Sequence, residues 1–268
     1  MSGAEAIAAL RHETAWPAPI LMPSAAGLGA RLEGRAASDL RGSAQGLADA
    51  CLSAARFLDA DAVWISALAP DEGADFAAGF LHDAAMRAIA AARTARLGAA
   101  VELRGPLFRA LEVGGDLDAA LKVVKPAMIA EFEAIAKLRP DIIVLADPRA
   151  DPPQAESRAL ARIYGALKRL AEHYDILKGM APAQPGMTGP GAPDLDFGDA
   201  LSPGRTGRAH GIAPDWSAAQ TFARSVDDAL TAALREGAAL IVSGRAGLSA
   251  TQDPETVRNT VQGIRDRA

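Results

Sequence analysis

Asp141-Ile142-Ile143-Val144-Leu145-Ala146-Asp147-Pro148-Arg149 is the stretch whose reading decides the fold. Its aliphatic run shows no polar alternation, so the strand it predicts, Asp141 to Leu145, is buried on both faces. That is the habit of a parallel sheet covered by helices. The run stops at Asp147-Pro148, where the proline holds Asp147 extended and ends the strand pairing.

Outward from this strand, helical and strand-like signals alternate, as expected of βα units. Upstream lie a helix over 117–138, a strand from Ala100 to Leu103 broken by Gly105-Pro106, and a helix over 75–97. Pro126 is expected to kink the first of these helices or begin a new segment. Before them come a strand from Ala62 to Ser66, a helix over 39–58, and a first strand between Pro19 and Pro23. Downstream lie a helix over 153–173, a strand from Asp175 to Leu177, a helix over 217–236, a strand from Ala239 to Ser243 and a helix over 254–267. Residues 180–215 are rich in proline and glycine and read as a long loop or lid with one short strand near Leu195–Phe197. No internal repeat is visible.

Six or seven strands are legible in this way. Seven or eight close a (β/α)8-type TIM barrel, and six leave an open doubly wound parallel sheet. A single α/β domain over 1–268, in the form of a barrel, is the expectation.

Half of the residues are hydrophobic but only 4% are aromatic, so the core must be aliphatic, with helices packed through alanine faces. A net charge of -5 with scattered lysines and arginines argues against a nucleic-acid partner. The single cysteine, Cys51, excludes an internal disulfide or a multi-thiolate metal site, and its apolar helical setting predicts a buried, inert thiol. No apolar run is long enough to span a bilayer, and Met1 to Arg11 lacks the order of a secretory signal, so the expected location is cytoplasmic. No two of His12, His82, His173 and His210 sit at ligand spacing, and no metal site is expected. The absence of a Gly-x-Ser-x-Gly elbow removes the footing for serine-hydrolase chemistry.

In either architecture ligands bind past the carboxyl ends of the strands. The residues there are Ser24, Ser66, Glu102, Arg104, Asp147, Arg149, Lys178, Ser243 and Arg245. Asp147 is the candidate catalytic group, a general acid/base or a stabilising carboxylate, with a turn or helix-cap aspartate as the alternative. Arg104, Arg149, Arg245 and Lys178 are candidate clamps for a small anionic substrate, because a guanidinium offers carboxylates and phosphates a planar fork. Ser66, Glu102 and Ser243 complete the candidate binding set, and His210 acts in it from the lid. The Ser243-Gly244-Arg245-Ala246-Gly247 turn is either a phosphate-binding loop or a plain strand-to-helix turn.

Several segments resemble the uroporphyrinogen decarboxylase superfamily, which includes corrinoid-linked methyltransferases. They are PAPILMPSAAG (17–27), SAQGLADACLSAARFLDADAVWIS (43–66), LRGPLFRALEVGG (103–115), MIAEFEAIAKLRPDIIVLADP (128–148) and the closing ALREGAALIVSGRAGLSATQDPETVRNTVQGIRD (233–266). The resemblance implies a TIM barrel acting on a small or medium anionic substrate by decarboxylation or methyl transfer. It also implies a homodimer and a corrinoid, or a corrinoid protein, as partner. The chain departs from the family in two places. The Arg-Gln-Ala-Gly-Arg substrate signature is absent, and Arg245 stands where the zinc-dependent members place a ligand cysteine. A barrel that has lost catalysis and serves as a binding or assembly partner, and an unrelated phosphate-binding barrel enzyme, are the alternatives. No cofactor is predicted from the residues themselves.

Overall fold

The aliphatic run forms its strand at Ile142–Ala146, and every residue in it is buried. The structure, a computed structural model, describes residues 2–12, 16, 18–66, 78–151, 154, 157–181, 189–198, 209–212, 219–235, 239–243, 248 and 253–265. Among them the elements run α1 (Gly3–Arg11), β1 (Ile20–Leu21), α2 (Ala26–Leu32), α3 (Ala44–Phe57), β2 (Ala62–Ser66), α4 (Ala78–Thr94) and β3 (Gly98–Arg104). They continue with α5 (Pro106–Val113), α6 (Leu117–Lys137), β4 (Ile142–Ala146), α7 (Arg158–His173), β5 (Leu177–Ala181) and β6 (Leu195–Gly198). The last are β7 (Ala209–Ile212), α8 (Ala219–Arg235), β8 (Ala239–Val242) and α9 (Pro254–Arg265).

The strands form one eight-stranded sheet in the order β1-β8-β7-β6-β5-β4-β3-β2, and each neighbouring pair is parallel. Two observations show that this sheet is rolled. The rings of Trp64 on β2 and Phe197 on β6 meet edge to face with centroids 5.5 Å apart. In a flat sheet four strand spacings would hold them about 19 Å apart. The two end strands also meet, because Asp61 N–H donates to the Leu21 carbonyl at 2.8 Å. The architecture is a (β/α)8-type barrel.

Alternation along the strands sorts the core into an inside and an outside. Ile20, Met22, Ala62, Trp64, Ala100, Ile142, Val144, Leu177, Leu195, Phe197, Ala239 and Ile241 pack together as the barrel interior. Val63, Ile65, Val101, Leu103, Ile143, Leu145 and Met180 face the helices instead. Helix α1 plugs the amino-terminal end of the barrel. Its Ile7 packs so closely on Gly98 that a Cβ there would lie 2.6 Å from Ile7 Cγ1. Its Arg11 pairs with Asp141 at 2.6 Å, in front of β4.

The segment 180–215 departs from expectation. It supplies β6 and β7, two paired strands rather than one, along with a short 3-10 turn at Gly189–Gly191. These strands are short and interrupted by glycine and aspartate, so the local pattern carries little strand signal, and their pairing with β5 and β8 forms them. The fifth strand runs later than expected, over Leu177–Ala181, and the third is longer, over Gly98–Arg104. Gly105-Pro106 starts α5, with proline in its first turn, and Gly105 only separates the helix from β3. Helix α6 continues through Pro126. Pro126 is on the exposed face, where water can satisfy the carbonyl one turn earlier. No helix among the described residues is long and apolar enough to cross a membrane.

Candidate active site

The carboxyl ends of the strands carry two separate polar groups, one inside the barrel and one outside it. Strand β3 alternates Ala99, Val101 and Leu103 toward the helices with Ala100 toward the interior, so Glu102 and Arg104 share the inward parity. Ser66, in register with Glu102 on β2, lies beside it. Glu102 is buried, its Oε2 accepts from Trp64 Nε1 at 2.8 Å, and it is hydrogen-bonded to the half-buried Ser66 hydroxyl. Burial raises its pKa above the ordinary glutamate range, outweighing the opposing pull of the Trp64 and Ser66 hydrogen bonds. At the mouth of this barrel, then, sits a carboxyl biased toward its neutral, proton-bearing form.

Ser243, buried at the end of β8, and the half-buried Ser24, just past β1, stand on the adjacent strand ends. The two strand ends are tied together, with Met22 N–H donating to the Val242 carbonyl at 2.9 Å. Ser243, Ser24, Ser66 and Glu102 therefore follow β8, β1, β2 and β3 around one side of the mouth.

Arg104 turns over the rim. Its guanidinium lies 4.2 Å above the Phe108 ring and pairs with Glu112, both on α5. The neighbouring Arg109 pairs with Glu131 on α6.

Asp147 and Lys178 face the other way. Ile143 and Leu145 of β4 point to the helices, and Asp147 has their parity. Its Oδ1 accepts from Phe108 N–H at 2.7 Å and its Oδ2 from the Tyr164 hydroxyl at 2.6 Å. Leu107 N–H also bonds it, so Asp147 caps the amino-terminal end of α5 from another strand. Gly105 is required by this approach, since a Cβ there would lie 2.0 Å from Asp147 Oδ2. Burial is the larger influence and pushes the Asp147 carboxyl up to about 7, against the pull of these hydrogen bonds.

Lys178 is fully buried. Its Nζ donates to the Gly191 carbonyl at 2.5 Å and lies 5.3 Å from the centre of the Tyr164 ring. Burial, then the charge of Lys168, lowers it to about 7, while Asp194, Asp196 and Asp147 oppose the shift. Lys168 in turn pairs with Asp194 at 2.5 Å.

Of the residues expected at one mouth, the structure brings Ser66 and Glu102 together inside the barrel, with Ser243 on the same side of the rim. It brings Asp147 and Lys178 together between sheet and helices. Arg149 is exposed. His210 pairs through its backbone with Asp196 and Leu240, and its side chain lies outside the described residues, as does Arg245. Trp64, Phe197, Tyr164 and Asp194 were not legible as site residues. Trp64 alone gave a signal, as an indole spaced two residues from Ser66 on a strand otherwise aliphatic at its centre.

Neither a protein-family model nor a curated protein sequence matches the chain. Solved structures do. A methyltransferase from Methanosarcina mazei aligns with a TM-score of 0.67 over 98% of this chain and 97% of its own, at 15% identity. Alpha-L-fucosidase AlfC from Lactobacillus casei, in complex with its alpha-L-fucose product, aligns with a TM-score of 0.51 over 97% and 98%, at 11% identity. At such identities the likeness is one of fold, and it agrees with the barrel derived from the strand pairing.

Proposed function

We propose that this chain is a barrel enzyme acting on a small or medium anionic substrate, with Glu102 as its proton donor. The observation that carries the reading is the Glu102 carboxyl, buried at an inward strand end and held by Trp64 and Ser66. Inward strand ends at this face are where barrels place their chemistry. A neutral carboxyl there delivers a proton and does not repel an anion.

Decarboxylation, and methyl transfer from an oxygen or sulfur that leaves as an anion, both use such a group. When a carboxylate substrate loses CO2, the electron pair left on carbon takes the Glu102 proton. When a methyl group passes from an oxygen or sulfur to a nucleophilic acceptor, such as a corrinoid would supply, the atom it leaves takes the Glu102 proton. Glu102 ends as a carboxylate in each case and is reprotonated from water. The fold likeness to a methyltransferase supports this range of chemistry. Arg104 on the rim and the exposed Arg149 after β4 are assigned to the anionic groups of the substrate, and so is Arg245, which lies outside the described residues.

The family's thiolate-bound zinc does not fit this chain. Cys51, the only cysteine, is buried in α3 against the helix-facing side of the sheet, and burial pushes its thiol up to about 12. Asp147 and Lys178 are assigned to holding α5 and the β5–β6 connection in place.

Thermal-shift screening against tetrapyrroles, corrinoids, and aromatic or phosphorylated acids tests the reading. A ligand at 100 times its dissociation constant adds about 2.7 kcal/mol to stability. Turnover of a hit that survives Glu102→Gln unchanged would remove Glu102 from the mechanism. A screen without hits in any class would remove the substrate assignment.

A further inference from the structure

We propose that Trp64 is a positioning residue that holds Glu102 with its acidic proton on Oε1, and that Ser66 exchanges this proton with the mouth. The inference deepens the proposed function and rests on Glu102 being the proton donor.

The geometry is specific. An indole N–H donates and never accepts. Trp64 Nε1 points at Glu102 Oε2 from 2.8 Å, so Oε2 is the carbonyl oxygen of the protonated carboxyl and Oε1 carries the hydrogen. Trp64 cannot turn away, because Phe197 packs edge to face against its ring from across the barrel, at an interplanar angle of 77°. The interior cluster that Trp64 shares with Phe197 is apolar, with Ile20, Met22, Ala100 and Val144 among its members and Trp16 packed against it. Among the described residues, the polar groups assigned to the Glu102 carboxyl are the Trp64 indole and the Ser66 hydroxyl.

Ser66 differs from Trp64 in two ways that matter. Its hydroxyl both donates and accepts, and it is only half buried. After Glu102 has given up its proton, Ser66 passes its own hydroxyl proton to Glu102 and takes one from water at the mouth, which leaves as hydroxide neutralised by solvent. No net charge is left on the serine. Trp64 therefore sets where the proton sits, and Ser66 sets how it returns.

The indole hydrogen bond favours the ionised form of Glu102, so removing it must raise the pH at which the carboxyl ionises. The test follows that carboxyl directly by infrared difference spectroscopy, using the protonated C=O band that disappears in Glu102→Gln. In Trp64→Phe, which keeps an aromatic filler, the band is expected to persist to higher pH than in the unmodified protein. An unchanged midpoint would overturn the positioning role, since a merely space-filling tryptophan would not move it.

A second measurement covers the case in which Trp64→Phe does not fold. With Trp16 and Trp216 replaced by phenylalanine, the emission of Trp64 alone is followed against pH. A step that vanishes in Glu102→Gln is expected, and a flat profile overturns the proposal. Ser66→Ala is expected to slow proton return in single-turnover and multiple-turnover comparison, with the first turnover retained and the later ones slowed. Equal loss in both would remove the relay. If the band and emission behave as expected while Glu102→Gln retains full turnover, the positioning stands and the proton-donor reading falls.

Discussion

Asp61 and Leu21 grip each other twice where the two ends of the sheet meet. Asp61 N–H donates to the Leu21 carbonyl at 2.8 Å, and Leu21 N–H donates to Asp61 Oδ2 at 2.8 Å. The same reciprocal pair recurs between Asp141 and Ala99, and between Asp194 and Lys178. In each case the aspartate immediately precedes an even-numbered strand, β2, β4 or β6, and clamps the odd-numbered strand before it. The aspartate carbonyls of Asp61 and Asp141 then accept from Gly98 and Leu177 on the following strand. The barrel thus repeats one device at β2, β4 and β6, which composition does not reveal, whereas Ala238 precedes β8.

Asp61 also pairs with Arg265 at 2.8 Å, tying α9 to the seam of the barrel. Asp61→Ala is expected to destabilise the protein by about 3 kcal/mol, because it leaves a backbone donor and a partly buried guanidinium without their partner. Asp141→Ala, at a more exposed carboxylate, is expected to cost about 1 kcal/mol. Urea denaturation of the two variants measures the difference, and equal losses would argue against a special role for the seam.

Asp147→Asn keeps the shape of the α5 cap and removes the ionisable group. The Asp147 carboxyl is raised from 3.8 to about 7 in the folded protein. The folded chain therefore holds this proton more tightly than the unfolded chain, and the stability it contributes is complete below 3.8 and lost as pH rises through about 7. Denaturation curves across that window should decline less steeply with pH in the variant. Turnover per folded molecule should be retained, and its abolition would return Asp147 to the catalytic role read from the sequence.

Lys178 carries the opposite sign. Its ammonium is lowered from 10.5 to about 7, so the unfolded chain binds the proton first and stability rises with pH between those values. Lys178→Met should flatten that rise, an effect on the order of a few kcal/mol for a buried lysine. A rise of unchanged slope would show that Lys178 is hydrated in solution.

Gly105→Ala places a methyl group against the Asp147 carboxylate, and one of the two must move. The expected cost is about 2 kcal/mol, in the range of overpacked cores, with loss of helical signal from α5. A variant as stable as the parent would mean that the cap is looser than the close approach implies.

For Glu102→Gln the expectation is unchanged or improved stability at neutral pH, since burial disfavours the charge that the substitution removes. Catalysis by the parent should fall as pH rises through the raised ionisation of Glu102, and the variant should show no such limb. A pH–rate profile whose basic limb survives the substitution belongs to another group.

Local pattern by itself determined the parallel α/β class, the strands read at 62–66, 141–145 and 239–243 and found at 62–66, 142–146 and 239–242, and the long helices between them. These segments carry their own signal, because a strand buried on both faces must be aliphatic throughout and a packed helix must be apolar once per turn. It also put Ser66 and Glu102 near the carboxyl ends of neighbouring strands, β2 and β3. Tertiary structure alone decided that β6 and β7 exist, since four-residue strands such as Ala209–Ile212 have no pattern until partners pair with them. It decided, too, which way each strand-end side chain points. The register of one residue separates Glu102 inside the barrel from Asp147 outside it, because successive side chains on a strand point to opposite faces.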